Sequence, residues 1–269
     1  MSERQTMGAA LLGALLLIAA LAPASGRREA QPRYLWPGAA ASRAGTLAER
    51  IAPPPGFIRL PASPGSFAEW LRGLPLRPPG TPVRLYDGRL KSSQDVHVAV
   101  VAIDTGKRDL QQCADAIMRL RAEYLWSAGR ARDIAFSGTD GKPMTFRGAS
   151  SDRKAFQRYM IRVFSYAGTY SLEREMKPVP TGEIVIGDVF IKGGFPGHAV
   201  LVADLVVDPA SGEKRFLLLQ SYMPAQDMHI LKNPQSTGGT PWYAIPEPGG
   251  DLVTPEWVFK ASALRRFRH

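Results

Sequence analysis

Hydrophobic and polar positions change from a helical to a strand pattern along this chain of 269 residues. The clearest helical pattern lies between Asp109 and Ala128, where apolar side chains recur every three or four residues. Asp109 is the candidate N-cap, and Gln112 three positions later fits a capping box. A second helical pattern covers residues 151–177 and is interrupted at Gly168. These two segments are therefore the longest predicted helices.

Most of the predicted β-strands follow the second helical segment. Mostly apolar runs bounded by turn residues predict strands at 96–103, 183–191, 198–207 and 214–222, with shorter ones at 228–231 and 242–245. A short helix at 66–74 and a hairpin around Asp87-Gly88 precede them. No internal repeat or clean break is visible after residue 55. We therefore predict a single α+β domain over residues 56–269.

The first 24 residues have the layout of a secretory signal peptide. A short polar start precedes an apolar run from Gly8 to Leu21, and small residues follow at 22–24. The run is shorter than the roughly 20 residues that span a bilayer. Positive charge at Arg27 and Arg28 favours the alternative of an uncleaved inner-membrane anchor formed by residues 8–24. The protein is therefore expected to be exported, either to the periplasm or out of the cell.

Residues 25–55 are rich in Pro, Ala and Gly and are expected to form a flexible tether. Net charge then indicates the chemical class of the expected binding partner. The chain has 34 Lys and Arg and 24 Asp and Glu, which gives a net charge of +10. Such a chain suits an anionic cell-wall polymer or peptide, although a solvated basic surface is the structural alternative. Export argues against nucleic acid, and a membrane is a partner only if the N-terminal segment stays uncleaved.

A single cysteine, Cys113, excludes an internal disulfide and a zinc site built from several cysteines. Sequence motifs for nucleotides, dinucleotides and metalloprotease zinc are absent, so no cofactor and no metal are predicted. His229 and Asp227 could act as ligands, but two ligands do not make a metal site. The chemistry is therefore expected to come from side chains alone.

Three residues have, in chain order, the chemistry of a cysteine hydrolase. Cys113 lies in the first turn of the predicted helix, where the helix N-terminus is expected to lower the pKa of a thiol. His198 begins a predicted strand after a glycine-rich loop and is the candidate base. Gln220, at the end of the next strand, is the candidate group that orients the imidazole. Together they predict nucleophile, base and orienting residue.

Four further residues are candidates for the oxyanion hole or the substrate groove: Gln111, Gln112, Gly197 and Tyr222. The backbone N–H of Cys113 is the first expected oxyanion donor, with Gln111 or Gln112 as a possible second. Each catalytic candidate also has a structural interpretation. Cys113 falls in the apolar stripe of its helix, where buried free cysteine is common, while His198 can cap a strand and Gln220 can satisfy backbone groups.

The strand register decides whether Gln220 can reach His198. If Val207 pairs with Lys214 and the register is unbroken, His198 faces Met223 and Gln220 points to the other side of the sheet. A change of one residue brings His198 opposite Tyr222 and puts Gln220 on the same face as His198. The sequence leaves both registers open.

Long segments of the chain resemble one family. These are QQCADAIMRLRAEYLW (111–126), VFSYAGTYSLEREMKPV (163–179), the stretch from Gly187 to Pro234, PWYAIP (241–246) and TPEWVFKASALRRF (254–267). They are similar to a secreted bacterial family known as domain of unknown function 4846. The resemblance covers roughly residues 56–267. It implies an envelope protein with a signal peptide and no established activity.

A second, looser resemblance concerns GDVFI and PGHAVLVAD (187–191 and 196–204), which are similar to two strands of NlpC-type papain-like cell-wall peptidases. In that superfamily the nucleophilic Cys opens a helix, the His begins a strand and a polar residue follows on the next strand. QQCADA departs from the Asp-Cys-Ser-Gly run of those peptidases, and 85 residues separate Cys113 from His198.

The second resemblance implies a papain-like α+β core, in which a helix carrying Cys113 packs on an antiparallel sheet carrying His198. The implied function is a cysteine hydrolase, a peptidase or amidase, that acts on amide or peptide bonds of the envelope. The alternative is a non-catalytic envelope-binding or scaffolding protein with the same fold.

Overall fold

The computed structural model describes residues 34–36, 45–149 and 151–268. Its α-helices are α1 (Leu47–Arg50), α2 (Phe67–Arg72), α3 (Cys113–Ser127), α4 (Arg153–Tyr166) and α5 (Thr169–Glu175). Its strands are β1 (Ile58–Arg59), β2 (His97–Val100), β3 (Ala135–Ser137), β4 (Pro143–Thr145), β5 (Lys177–Pro178), β6 (Val189–Lys192), β7 (His198–Val207), β8 (Lys214–Gln220), β9 (His229–Leu231), β10 (Tyr243–Ala244), β11 (Asp251–Val253), β12 (Val258–Lys260) and β13 (Leu264–Arg266). The fold is therefore mixed α+β, as predicted.

One antiparallel sheet organises the described chain. Its strand order is β2-β9-β8-β7-β6-β13-β5, with β1 also paired to β7 and β10 to β8. The long strand β7 lies in the middle and is buried along nearly its whole length. Two small hairpins, β3–β4 and β11–β12, stand outside this sheet. The central position of β7 places its first residue, His198, between two neighbouring strands.

Each face of the sheet has its own hydrophobic cluster because side chains alternate along β7. Ala199 and Leu201 belong to the cluster that contains the buried face of α3. Val200 and Val202 belong to the second cluster, with Phe259 of the β11–β12 hairpin. Helix α3 therefore covers one face of β7, and the hairpin covers the other.

A β-bulge separates two registers between β7 and β8. Val207 pairs with Lys214 at one end, but past the bulge Leu201 pairs with Leu219. The shift occurs between Val202 and Asp204, so β7 contains one extra residue there. Both registers that the sequence left open are thus present in one strand pair. The second register puts Gln220 on the same face as His198.

Helix α3 begins at Cys113, four residues later than the predicted Asp109. Its N-cap is Gln112, whose backbone N–H donates to Asp115 Oδ2 at 3.1 Å. The Asp109 carboxylate instead accepts from the side chain of Gln112 and from the Ala225 backbone N–H. The predicted capping pair is therefore a real contact, but it lies outside the helix and leaves Cys113 as the first helical residue.

The predicted strand at 183–191 was too long. Residues Thr181–Glu183 form a 3-10 helix, and the strand begins only at Val189. Asp188 closes the intervening turn by accepting the backbone N–H of Val185 and two hydrogen bonds from Arg266. A turn closed by the buried Asp188 carboxylate therefore replaces the start of the strand.

Two described parts of the segment predicted as a tether contact the domain. Trp36 is buried and donates its indole N–H to the carbonyl oxygen of Ala102 at 2.7 Å. Leu47–Arg50 forms α1, and Leu47 is fully buried. Residues 37–44 and the predicted signal peptide, residues 1–24, lie outside the described residues. No helix in the described ranges has both the length and the apolar character needed to cross a bilayer.

We predict that Asp204→Asn destabilises the fold by about 3 kcal/mol. Asp204 is fully buried at the bulge and pairs with Arg59 of β1 and Arg72 of α2. The substitution keeps the shape of the side chain but removes the charge that both guanidinium groups face. Urea unfolding at neutral pH measures the loss.

The matched control is Asp251→Asn, because the pair between Asp251 and Lys260 is exposed. It is expected to cost less than about 1 kcal/mol. Equal losses in the two variants would contradict the special role of the carboxylate at the bulge.

Candidate functional site

Cys113 occupies the first helical position of α3 and is partly exposed. The backbone N–H groups of Ala114 and Ala199 both donate towards its sulfur. The second of these contacts places the thiol beside the peptide bond that joins His198 to Ala199. The N–H of Cys113 itself also points towards the sulfur, and like other N–H groups in the first turn of a helix it has no carbonyl partner within that helix.

The expected lowering of the thiol pKa is not found. The pKa of Cys113 is raised to about 11, first by burial and then by the nearby Asp115 carboxyl group, against smaller lowering effects of backbone N–H groups. The partial charge of the helix N-terminus is therefore outweighed by loss of solvent around the sulfur. At neutral pH the resting thiol is protonated.

His198 is buried at the start of β7 and is enclosed by aromatic rings. Its ring centroid lies 4.7 Å from Tyr222, 5.4 Å from Trp257 and 5.7 Å from Phe259. Burial lowers the pKa of His198 to about 4, although a hydrogen bond from its ring to Gln220 acts in the opposite direction. The imidazole is therefore neutral at pH 7, which is the form that can accept a proton.

Gln220 contacts His198 as the second register requires. Its Oε1 lies 2.9 Å from Nε2 of His198, and its own Nε2 lies 2.7 Å from Oε2 of Glu256 and 3.2 Å from Nε2 of His229. Gln220 is fully buried. Since an amide oxygen only accepts, Nε2 of His198 carries the proton and Nδ1 is left as the basic atom.

The thiol and the imidazole share no hydrogen bond among the described residues. They approach β7 differently, because α3 packs on the face of Ala199 whereas His198 lies on the face of the β11–β12 hairpin. Cys113 also contributes to a raised pKa of Tyr222, after burial and Glu256, and the Tyr222 ring packs on His198. The sequence candidates thus converge at one end of β7 and β8.

The proposed oxyanion donors Gln111 and Gln112 are engaged elsewhere. The Gln111 side chain is buried, donates to the carbonyl of Asp104 and accepts from Arg119. Gln112 uses its side-chain amide on Asp109 and its backbone N–H on Asp115 and Leu110. The remaining donor among the predicted ones is therefore the backbone N–H of Cys113.

Gly197 is explained by close packing. A Cβ atom there would collide with Oγ1 of Thr169, at the start of α5, and with the backbone carbonyl oxygens of Lys192 and Gly194. The glycine thus allows the loop before His198 to approach α5. Tyr222, the other groove candidate, is half-buried between His198 and the ammonium group of Lys91, which lies 5.2 Å from its ring centroid.

Sequence reasoning missed three polar neighbours of this site: Lys91, Glu256 and the site role of His229. Glu256 lies between β11 and β12, a hairpin that the hydrophobic pattern did not predict. His229 was noticed only as a potential metal ligand, but its Nδ1 lies 2.8 Å from the carbonyl of Asp227, and the Asp227 carboxylate pairs with Arg77. No group of three or more His, Cys, Asp or Glu side chains suited to a metal occurs among the described residues.

Comparison with known proteins gives a family and nothing further. The family model described as "Domain of unknown function (4846)" matches residues 47–148 and 145–266. No curated protein and no solved structure matches the chain. The two matched stretches together contain every residue of the site described above.

We predict that acid destabilises the fold partly through its buried imidazoles. Burial lowers the pKa of His198 to about 4 and that of His229 to about 3. An exposed imidazole has a pKa of about 6.5, so below that pH the unfolded chain binds more protons than the folded chain. Stability is therefore present above pH 6.5 and is lost as the pH falls, by about 1.4 kcal/mol per pH unit for each imidazole.

Urea unfolding of wild type and His229→Gln at pH 7 and pH 5 measures this effect. The variant should lose about 2 kcal/mol less than wild type between the two pH values, because one proton-binding group has gone from the unfolded chain. An identical acid loss in both proteins would show that His229 does not contribute.

We also predict that Gly197→Ala destabilises the protein by roughly 1–3 kcal/mol, because the added methyl group must displace Thr169 or the loop itself. The control is Gly182→Ala, since a Cβ atom at Gly182 meets nothing within 4 Å. Thermal and urea unfolding of both variants provide the comparison. A Gly197→Ala protein as stable as the control would rule out the close approach.

Proposed function

The chain belongs to the family of domain of unknown function 4846, and we propose that it is a papain-like cysteine hydrolase that cleaves amide or peptide bonds of the cell envelope. One observation carries the proposal. The Cys113 thiol, at the first position of a helix, lies beside the backbone of the residue that follows His198, and His198 is held by Gln220 with Nδ1 left basic. These are the parts of thiol acyl transfer.

The first half of the reaction forms a thioester. Nδ1 of His198 takes the proton of the Cys113 thiol while the sulfur bonds to the carbonyl carbon of the substrate. The carbonyl electron pair moves onto oxygen, where the N–H of Cys113 stabilises the negative charge. When the C–N bond breaks, the leaving amine takes the proton from Nδ1, and the acyl group stays on sulfur.

The second half of the reaction releases the acid. Nδ1 of His198 takes a proton from water while the water oxygen bonds to the thioester carbon. The C–S bond then breaks, and the sulfur recovers its proton from His198. One water is consumed for each bond cleaved, and the enzyme returns to its starting state.

The neutral resting pair decides how this chemistry begins. With the thiol pKa raised and the imidazole pKa lowered, the proton stays on sulfur until a carbonyl group is in place. His198 then acts as a general base during attack instead of holding a preformed thiolate. A protonated thiol is also a poor target for oxidants, which react with the thiolate, and this suits a single cysteine in an oxidising compartment.

The substrate class follows from the predicted export and the charge. A net charge of +10 favours an anionic polymer, and a cell-wall peptide supplies both carboxylates and amide bonds. The N-terminal layout of a signal peptide supports placement of the enzyme in the periplasm or outside the cell. Peptide stems of the wall are therefore the proposed substrates.

A second candidate is a binding protein that keeps the fold without the reaction. The raised thiol pKa and the lack of a thiol–imidazole hydrogen bond among the described residues favour it. In that case the same end of the sheet would hold an anionic wall polymer. The two candidates differ in whether Cys113 is needed for anything beyond packing.

Turnover of purified peptidoglycan and of its soluble peptide fragments, followed by mass spectrometry, tests the proposal. Each cleaved bond adds one water. We expect no product from Cys113→Ala, and a fall in kcat/KM by a factor of about 10²–10⁴ in His198→Ala, because the general base is lost. Gln220→Met should reduce kcat/KM by a smaller factor, since the ring is retained but loses its orienting bond.

The matched control is Gln226→Met, which also removes a buried amide near the end of β8. The side-chain amide atoms of Gln226 have no hydrogen-bond partner among the described residues, so its variant should keep wild-type turnover. Wild type without turnover, together with equal retention of wild type and Cys113→Ala on purified peptidoglycan, would support the binding protein instead.

A further inference from the structure

We propose that His229 and Glu256 are positioning residues that fix the amide of Gln220 in one orientation and thereby hold His198 in the tautomer whose Nδ1 is free to accept a proton. This inference deepens the proposed function and rests on it for its catalytic meaning. The tautomer itself can be measured without any substrate.

The chain of contacts begins at the backbone of Asp227. Its carbonyl oxygen only accepts, and it lies 2.8 Å from Nδ1 of His229, so Nδ1 carries the proton of that neutral ring. Nε2 of His229 is then an acceptor. It lies 3.2 Å from Nε2 of Gln220, which can only donate. The amide nitrogen of Gln220 therefore faces His229.

A second contact acts in the same direction. The Gln220 amide nitrogen also lies 2.7 Å from Oε2 of Glu256, and the other Glu256 oxygen accepts from the Lys91 ammonium group. The Lys91 and Glu256 side chains are 7% and 15% exposed, so solvent screens this ion pair little. A carboxylate paired with Lys91 accepts and does not donate. His229 and Glu256 are thus both acceptors, and the Gln220 atom that faces them must be a hydrogen-bond donor.

Rotating the Gln220 amide by half a turn would oppose every one of these contacts. Its oxygen would face the Glu256 carboxylate and the lone pair of His229, and its NH₂ group would face His198. His198 would then have to offer an acceptor at Nε2 and carry its proton on Nδ1. In that tautomer the lone pair of the ring lies on Nε2, where it accepts from the amide, and none is left to accept the thiol proton. Gln220 and His229 are both fully buried, so water cannot compensate for the mismatch.

The roles are therefore unequal along the chain of contacts. Gln220 touches the imidazole, whereas His229 and Glu256 act through Gln220 alone. A structural role would show itself as lost stability in their variants. A positioning role predicts a change at the ring nitrogens of His198 as well.

Nitrogen NMR of histidine-labelled protein at pH 7 reads the tautomer of each ring. For wild type we expect a protonated Nε2 and an unprotonated Nδ1 on His198. The double variant His229→Met/Glu256→Met removes both acceptors that face the Gln220 amide nitrogen, so protonated Nδ1 should become visible on His198. Alkylation of Cys113 by iodoacetamide should slow about tenfold, towards the rate of His198→Ala.

Two further proteins sharpen the test. His229→Gln offers an amide oxygen near the former Nε2 and should retain the wild-type signature. The control Gln226→Met/Glu213→Met makes a similar double change that removes no hydrogen-bond partner of Gln220, since the Gln226 side-chain amide has no partner among the described residues and Glu213 pairs with the half-buried Arg215. It should leave both the ring signals and the alkylation rate unchanged.

A wild-type His198 protonated on Nδ1 overturns the inference outright, even if the double variant fails to fold. A folded double variant that keeps the wild-type ring signals does the same. The proposed function fails by a different result, namely equal alkylation rates and equal turnover in wild type and His198→Ala. In that case the NMR measurement still decides the tautomer.

Discussion

The extra residue in β7 is the constraint on which the site depends. Without it, the pairing of Val207 with Lys214 would continue along the strand, and His198 would face α3 on the opposite side of the sheet from Gln220. The bulge moves the register by one residue and brings Gln220 to within 2.9 Å of His198. Asp204 links this irregularity to the edge strand β1 and to helix α2 through two arginines, so a neighbouring strand and a helix both help to hold the register.

The site joins segments that are far apart in the chain, and each brings a different property. Helix α3 brings a thiol at its first position, β7 a neutral imidazole, and the β11–β12 hairpin a carboxylate and the ring of Trp257. Burial acts on all of them, because the same loss of solvent that keeps the thiol protonated also leaves His198 unprotonated. Burial thus leaves both the thiol and the imidazole uncharged at neutral pH.

Much of this arrangement could be predicted from the sequence, and the failures have physical causes. The strand from His198 to Val207 was predicted with its observed bounds because a long apolar run ends in strong turn residues. The bulge could not be predicted, since Ala203 looks like any other apolar residue of that run. The start of α3 was placed too early because Asp109 has the chemistry of an N-cap but uses its carboxylate on Ala225. Glu256 belongs to a hairpin too short to give a periodic pattern.

If the N-terminal segment is retained as an anchor, the docking of Tyr34 and Trp36 limits the distance between the domain and the bilayer. The chain is already docked on the core at Tyr34 and Trp36 through hydrogen bonds to Trp70 and Ala102. Only ten peptide steps separate residue 24 from Tyr34, and even a fully extended chain covers about 35 Å in that number of steps. Under the proposed function, an uncleaved anchor would therefore confine the domain to a thin layer next to the bilayer, whereas a cleaved chain could diffuse freely.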